Sequence, residues 1–267
     1  MDNILEKIVN RKKESIKIYK KNFSENKLIQ NIKNINSFVN FLDKLKSRNF
    51  EKKISIIAEI KKASPSAGII VKNFDPENIA KVYHESGASF LSVLTEEDFF
   101  MGKLDYINSI KKNITIPILC KDFFIDTYQI PLAKSYGADC ILIILSAVDK
   151  ILAKDLYQAS QQLNISSLVE VHSEEEAERA LSFENSIIGI NNRNLKSFEV
   201  SLDTSIKLSK ILNSHKNPII CESGINTGED VKFIIKNAQI YNFLVGESLL
   251  KSKNIALKLK ELSQITL

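Results

Sequence analysis

Eight short runs of apolar, largely β-branched residues recur between Ile54 and Val245, about every 20–35 positions, each followed by a segment with helical periodicity. The runs are Ile54–Ile60, Ala88–Leu94, Ile116–Leu119, Ala138–Leu145, Ser167–Val171, Ile187–Ile190, Pro218–Cys221 and Tyr241–Val245. They are apolar on both faces, as strands covered by helices must be. Eight such units in roughly 210 residues is the expectation for a (β/α)8 TIM barrel. A doubly wound open sheet is the alternative, and eight near-even units fit it less well. Residues 51–267 are therefore assigned to the barrel and residues 1–50 to an N-terminal helical extension packed on it, the whole forming a single structural domain.

Helix signals agree with this spacing. Asp75-Pro76 sets a capping carboxylate before a proline at the first helical position. Ser173 with Glu176, and Thr227 with Asp230, have capping-box spacing. Pro131 falls about one turn into a helix that would start after Asp126, which predicts a kink or a later start. In the extension, Leu5, Ile8, Val9, Ile16 and Tyr19 suit one amphipathic helix, and Ile35, Phe38, Phe41, Leu42 and Leu45 a second. Their lysines are expected to face solvent, and their apolar stripes to cover one end of the barrel.

Charge narrows the choice of partner. Residues 1–53 hold 14 of the 37 basic and 6 of the 32 acidic side chains, an excess of eight, while the rest sums to −3. A nucleic-acid reader usually carries its excess across the folded body, so the expectation is no nucleic-acid partner. A basic binding module acting through residues 1–53 stands as the non-enzymatic alternative. Cys120, Cys140 and Cys221 lie far apart in apolar runs without zinc spacing, and read as reduced, buried thiols of a cytoplasmic protein. The longest purely apolar stretch, Ile141–Leu145, cannot span a bilayer, and no signal-peptide core opens the chain.

In such barrels the reactive groups gather where strands end. Polar residues are dense there: AEIKKASPSAG, CKDFF, VEVH, GINNRN, CESG and VGES close six of the runs. Glu59 and Lys61 are two apart on a strand and share a face. With Lys121, Glu170, Asn191, Arg193 and Glu222 they converge from five strand ends. Burying so many ionisable groups is costly unless they pair or serve a ligand. Ser223-Gly224 and Gly246-Glu247-Ser248 follow the last two strands, the customary phosphate position.

At these residues the chain resembles the indole-3-glycerol-phosphate synthase family of tryptophan biosynthesis. The matching stretches include IIAEIKKASPSAGII (56–70), PILCKDFFIDTYQI (117–130), LVEVH (168–172), IIGINNRNLKSFEV (187–200) and LVGESLL (244–250). The resemblance implies a monofunctional carboxy-lyase that closes 1-(2-carboxyphenylamino)-1-deoxyribulose 5-phosphate to indole-3-glycerol phosphate, losing carbon dioxide and water. It implies no cofactor and no metal. By motif, Lys121 is the general acid and Glu170 the general base, with Lys61 pairing with substrate anions, Glu59 orienting it and Asn191 assisting. Arg193 and Glu222 hold substrate, and Ser64, Ser223, Gly224, Gly246, Glu247 and Ser248 surround the phosphate. Phe100 and Phe123 line the ring pocket, with Leu244 also a substrate contact. The partner is then a small phosphorylated molecule, with neither nucleic acid nor membrane involved, and the chain a monomer. Cys120, Ala67, Lys103, Pro131 and Ser201 depart from the family's usual residues, none at a position with a catalytic role. His84, His172 and His215 are given none either. An aminoaldose–aminoketose isomerase is the enzymatic alternative, and it would want a Cys/Asp or Asp/Asp pair across the mouth.

Overall fold

The computed structural model describes residues 4–33, 35, 38–195 and 197–265. Eight parallel strands close into a barrel: β1 (Ser55–Ile60), β2 (Phe90–Leu94), β3 (Ile118–Lys121), β4 (Cys140–Ile144), β5 (Ser166–Val171), β6 (Ile187–Asn191), β7 (Ile219–Glu222) and β8 (Asn242–Val245). β1 pairs with both β2 and β8, with Ile57 opposite Leu244 on one side and Phe90 on the other. All six residues of β1 are buried, so its hydrophobic faces serve the barrel interior and the helical layer at once. Each fully buried aliphatic side chain contributes about 1.5–3 kcal/mol.

Among the described residues three helices precede the barrel: α1 (Ile4–Asn22), α2 (Glu25–Lys33) and α3 (Phe41–Phe50). The rest are α4 (Pro76–Glu85), α5 (Asp105–Lys111), α6 (Gln129–Ser135), α7 (Lys150–Gln162), α8 (Glu174–Ala180), α9 (Asp203–Ile211), α10 (Gly228–Ala238), α11 (Glu247–Leu250) and α12 (Ile255–Ser263). The expected caps are present. Asp75 accepts from the Asn78 N–H ahead of Pro76, and Thr227 with Asp230 makes a reciprocal capping box. Ser173 caps α8, but the Glu176 carboxylate accepts from the His172 N–H instead of closing the box on Ser173. α6 starts late, at Gln129, so Pro131 falls in the first turn, where its missing N–H leaves no bond unmade.

Three expectations are corrected. Among the described residues the extension holds three helices, and the helix expected from Ile35 is α3, which begins at Phe41, where the Asn40 side chain caps it. The extension also covers more than one end. α3 sits at the start of the strands, with Arg48 bonded to Ser55 and Ile54, and Phe41 stacked on Phe90. α1 instead runs along the flank toward the opposite rim, tied by Arg11 to Asp98, Tyr19 to Glu97 and Lys20 to Asp126. Finally, Lys12 is not solvated. Its Nζ lies 2.7 Å from Asp122 Oδ1 with both side chains under a tenth exposed. Among the described residues, no helix is long and apolar enough to cross a membrane, and all three cysteines are buried and free.

Candidate active site

The strands continue past their last apolar residue. β3 runs to Lys121, β6 to Asn191 and β7 to Glu222, each one or two positions beyond the hydrophobic run. Backbone pairing thus fixes the charged groups directly, with Leu94 opposite Lys121 and Asn191 opposite Glu222. The side chains meet at the strand-end rim in a pocket of about 560 Å³.

At its centre Lys121 Nζ bridges two carboxylates, 2.6 Å from Glu170 Oε2 and 2.7 Å from Glu222 Oε2. Asn191 Nδ2 donates to Glu170 Oε1 at 3.3 Å. Beside them Lys61 Nζ contacts Glu59 Oε2 at 2.5 Å. Burial disfavours the charge on Lys121, but Glu170, Glu222 and Glu59 outweigh it and raise its pKa. Burial likewise works against Glu170, yet Lys121 and the neighbouring His172 hold it well below the carboxylate range. Glu222 goes the other way. Burial, reinforced by repulsion from Glu170, pushes it up to about 8 despite Lys121. Two buried acids sharing one lysine cannot both ionise freely, and of the two it is Glu222 whose ionisation is disfavoured. Its buried Oε1 has no hydrogen-bond partner.

The turns after β7 and β8 complete one wall. Ser223 and Gly224 both take left-handed backbone, at φ +65° and +87°. At Gly246 a Cβ would lie 2.3 Å from Glu59 Oε2, so only glycine lets this turn approach the Glu59–Lys61 pair. The short α11 opens at Glu247, whose carboxylate is held below its usual range, first by its hydrogen bond to Lys251. Arg193 stands 3.7 Å from the same carboxylate. The opposite wall is aromatic, with Phe100 and Phe123 ring centroids 6.2 Å apart.

Every residue singled out from the sequence lines this one pocket: Glu59, Lys61, Ser64, Phe100, Lys121, Phe123, Glu170, Asn191, Arg193, Glu222, Ser223, Gly224, Leu244, Gly246, Glu247 and Ser248. Two hydroxyls there are already engaged. Ser248 Oγ donates to the Ile225 carbonyl and Ser223 Oγ to Asn191 Oδ1, so what these turns offer a ligand directly is backbone N–H. Other lining residues escaped the sequence reading. Ile4, Leu5 and Ile8 reach the pocket from α1, and Leu195, Phe198 and Val200 from the segment after β6. The α1 residues carried only an amphipathic signal, which does not say which surface they meet. Lys251 also lines the pocket, and its spacing of four from Glu247 was the available clue.

The comparisons agree with the geometry. The family model described as indole-3-glycerol phosphate synthase matches residues 5–262. A relative of that name from Legionella pneumophila (strain Lens) is 43% identical over 262 residues, covering 98% of this chain and 99% of the relative. Another from Lachnoclostridium phytofermentans is 45% identical over 212 residues, covering 79% of this chain and 78% of its own. Among solved structures, the tryptophan synthase alpha chain of Legionella pneumophila aligns with a TM-score of 0.61 at 16% identity, covering 85% of this chain and 97% of that one. This last likeness carries the barrel fold alone. The chain belongs to the indole-3-glycerol phosphate synthase family.

Proposed function

We propose that this chain closes 1-(2-carboxyphenylamino)-1-deoxyribulose 5-phosphate to indole-3-glycerol phosphate, releasing carbon dioxide and water, as a step of tryptophan biosynthesis. The observation that carries the reading is Lys121 bridging Glu170 and Glu222 at the strand-end rim. Ring closure needs the ketone carbon made electrophilic, which an ammonium at its oxygen achieves. Carbon dioxide is lost as the aromatic carbon that attacked sheds its carboxylate. Dehydration then needs an acid for the leaving hydroxyl and a base for the proton lost from the new ring, each contributing about 10²–10⁴-fold.

These groups hold one another in check. Lys121 is too firmly protonated to be a good acid, and Glu170 too well stabilised to be a good base, while each holds the other. Substrate that draws Lys121 to its ketone oxygen releases both restraints at once. Glu222, the acid whose ionisation burial and Glu170 disfavour, is placed to hand a proton back to Lys121. Lys61, with Glu59 beside it, faces the substrate carboxylate, and Arg193 and Lys251 add positive charge near the turns assigned to the phosphate. Phe100, Phe123 and the α1 residues Ile4 and Ile8 suit the anthranilate ring.

The isomerase alternative loses support here. Cys120 alternates with Lys121 and so turns away from the barrel interior, and Asp122 is engaged by Lys12 and Thr95. The three buried thiols fit a cytoplasmic setting. The test is direct. Synthetic substrate is mixed with the protein and indole fluorescence followed, against a background kept low because the chain contains no tryptophan. A fluorescent product at enzymatic rate is expected, and its absence from folded protein would refute the assignment.

A further inference from the structure

His172 follows Glu170 by two positions, so both side chains leave the chain on the same side. Its ring is wedged between two carboxylates, with Nε2 3.3 Å from Glu170 Oε1 and Nδ1 3.4 Å from Glu176 Oε2. Glu176 is fixed independently of the ring. Its carboxylate accepts the His172 backbone N–H at 2.7 Å, and its own N–H donates to Ser173 Oγ at the start of α8. A neutral imidazole would turn a lone pair toward one of the two acids, whereas the imidazolium offers each an N–H. Neither ring contact has hydrogen-bond alignment, so the attraction is chiefly one of charge.

We infer that His172, held as a cation by Glu176, is a positioning residue that fixes the Glu170 carboxylate by its Oε1 and keeps it ionised when Lys121 leaves for the substrate. The inference rests on the reading of Glu170 as the general base. The two oxygens of Glu170 have separate partners. Oε2 meets Lys121, while Oε1 meets Asn191 and His172. Departure of Lys121 therefore frees Oε2 alone, which makes Oε2 the oxygen that accepts the proton. Without His172 the carboxylate would lose the other cation in contact with it at the moment it has to act.

The groups facing the ring are Glu170 from β5 and Glu176 from α8, with Lys121 of β3 and Glu222 of β7 beyond Glu170. Glu174, at the exposed start of α8, is paired with Lys207 of α9. Burial opposes the ring's charge, but the two carboxylates outweigh it and raise its pKa to about 9.

Nuclear magnetic resonance titration of the histidine rings tests the clamp without reference to turnover, since the chain has only three histidines. The His172 ring is expected to remain an imidazolium past pH 8, with a midpoint at least one unit lower in Glu176→Gln. A midpoint near the ordinary 6.5 in the wild-type protein would overturn the inference. In the fluorescence assay, His172→Gln should lower kcat about tenfold or more with KM within about threefold. It should also move the acid limb of kcat upward by about 1–3 pH units, the effect of removing one nearby cation from a carboxylate. His172→Lys should restore the acid limb, a rescue that a packing role would not produce. Should His172→Gln fail to fold, Glu176→Gln decides, because it lies outside the pocket and should shift the limb in the same direction. An unmoved acid limb in the folded variants refutes the role. Wild-type protein that makes no product would sink the functional assignment while leaving the titration to judge the clamp.

Discussion

Lys12→Ala removes the cation from a buried pair that joins α1 to the residue following Lys121. Burial opposes charge on Lys12, but Asp122 outweighs it and raises the lysine's pKa, so its contribution persists throughout the neutral range and fades only at strongly alkaline pH. Breaking such a pair from one side costs about 3–5 kcal/mol, because the other charge stays buried. Asp122 keeps two donors, Thr95 Oγ1 and the Phe123 N–H, each at 2.7 Å, which puts the loss at the lower end, about 3 kcal/mol. For a chain of this size each kcal/mol moves the midpoint about 2–4 °C, so thermal unfolding followed by circular dichroism should fall by about 6–12 °C. The double variant Lys12→Met with Asp122→Asn removes both charges and should recover most of that loss. A single variant within about 1 °C of wild type, or a double variant as unstable as the two singles summed, would refute this account.

Lys121→Ala should lower kcat by orders of magnitude while substrate still binds, and near wild-type turnover would remove its acid role. Glu170→Gln should abolish turnover with little change in affinity, whereas a large loss of binding would make it a ligand contact. Gly189→Ala places a methyl 2.1 Å from Glu222 Oε1, so it should force Glu222 away from Lys121 and cut kcat at least tenfold in folded protein; unchanged kinetics would contradict the crowding. Burial and repulsion from Glu170 raise the Glu222 pKa in the folded state to about 8, against 4.5 for an ordinary glutamate in the unfolded chain. Stability from this group therefore falls as pH rises between those values, and Glu222→Gln should gain on wild type by several degrees in thermal midpoint across that window. A difference that does not vary with pH would refute the raised value.

The barrel was readable because each strand is buried on both faces, which leaves an apolar run that punctuates the chain eight times. The run stops where the chemistry starts, however. Pairing carries β3 on to Lys121 and β7 to Glu222, so hydrophobicity alone ended both strands short. β3 also starts later than its run, at Ile118, after Pro117, which has no N–H to give the ladder. The pocket's charged residues could be found one by one, since strand alternation and motif spacing place each at a rim. The contributions of α1 could not. Lys12 looks like any other lysine of a basic helix until Asp122, 110 residues later, is seen to lie beneath it. From the sequence alone His172 has no catalytic role. Its contact with Glu170 follows from the two-residue spacing, but the second carboxylate arrives only through the turn into α8.

The flank docking of α1 has a bearing on how the chain is made. This helix leaves the ribosome well before the groups that hold it, at Asp98, Asp122, Asp126 and the Tyr128 hydroxyl, which are synthesised roughly 85–110 residues afterwards. A 19-residue segment with so many lysines has little to bury against before then, and a helix in a protein draws most of its stability from packing its apolar face. α1 must therefore wait without its partners until the third strand and its loop emerge to receive it.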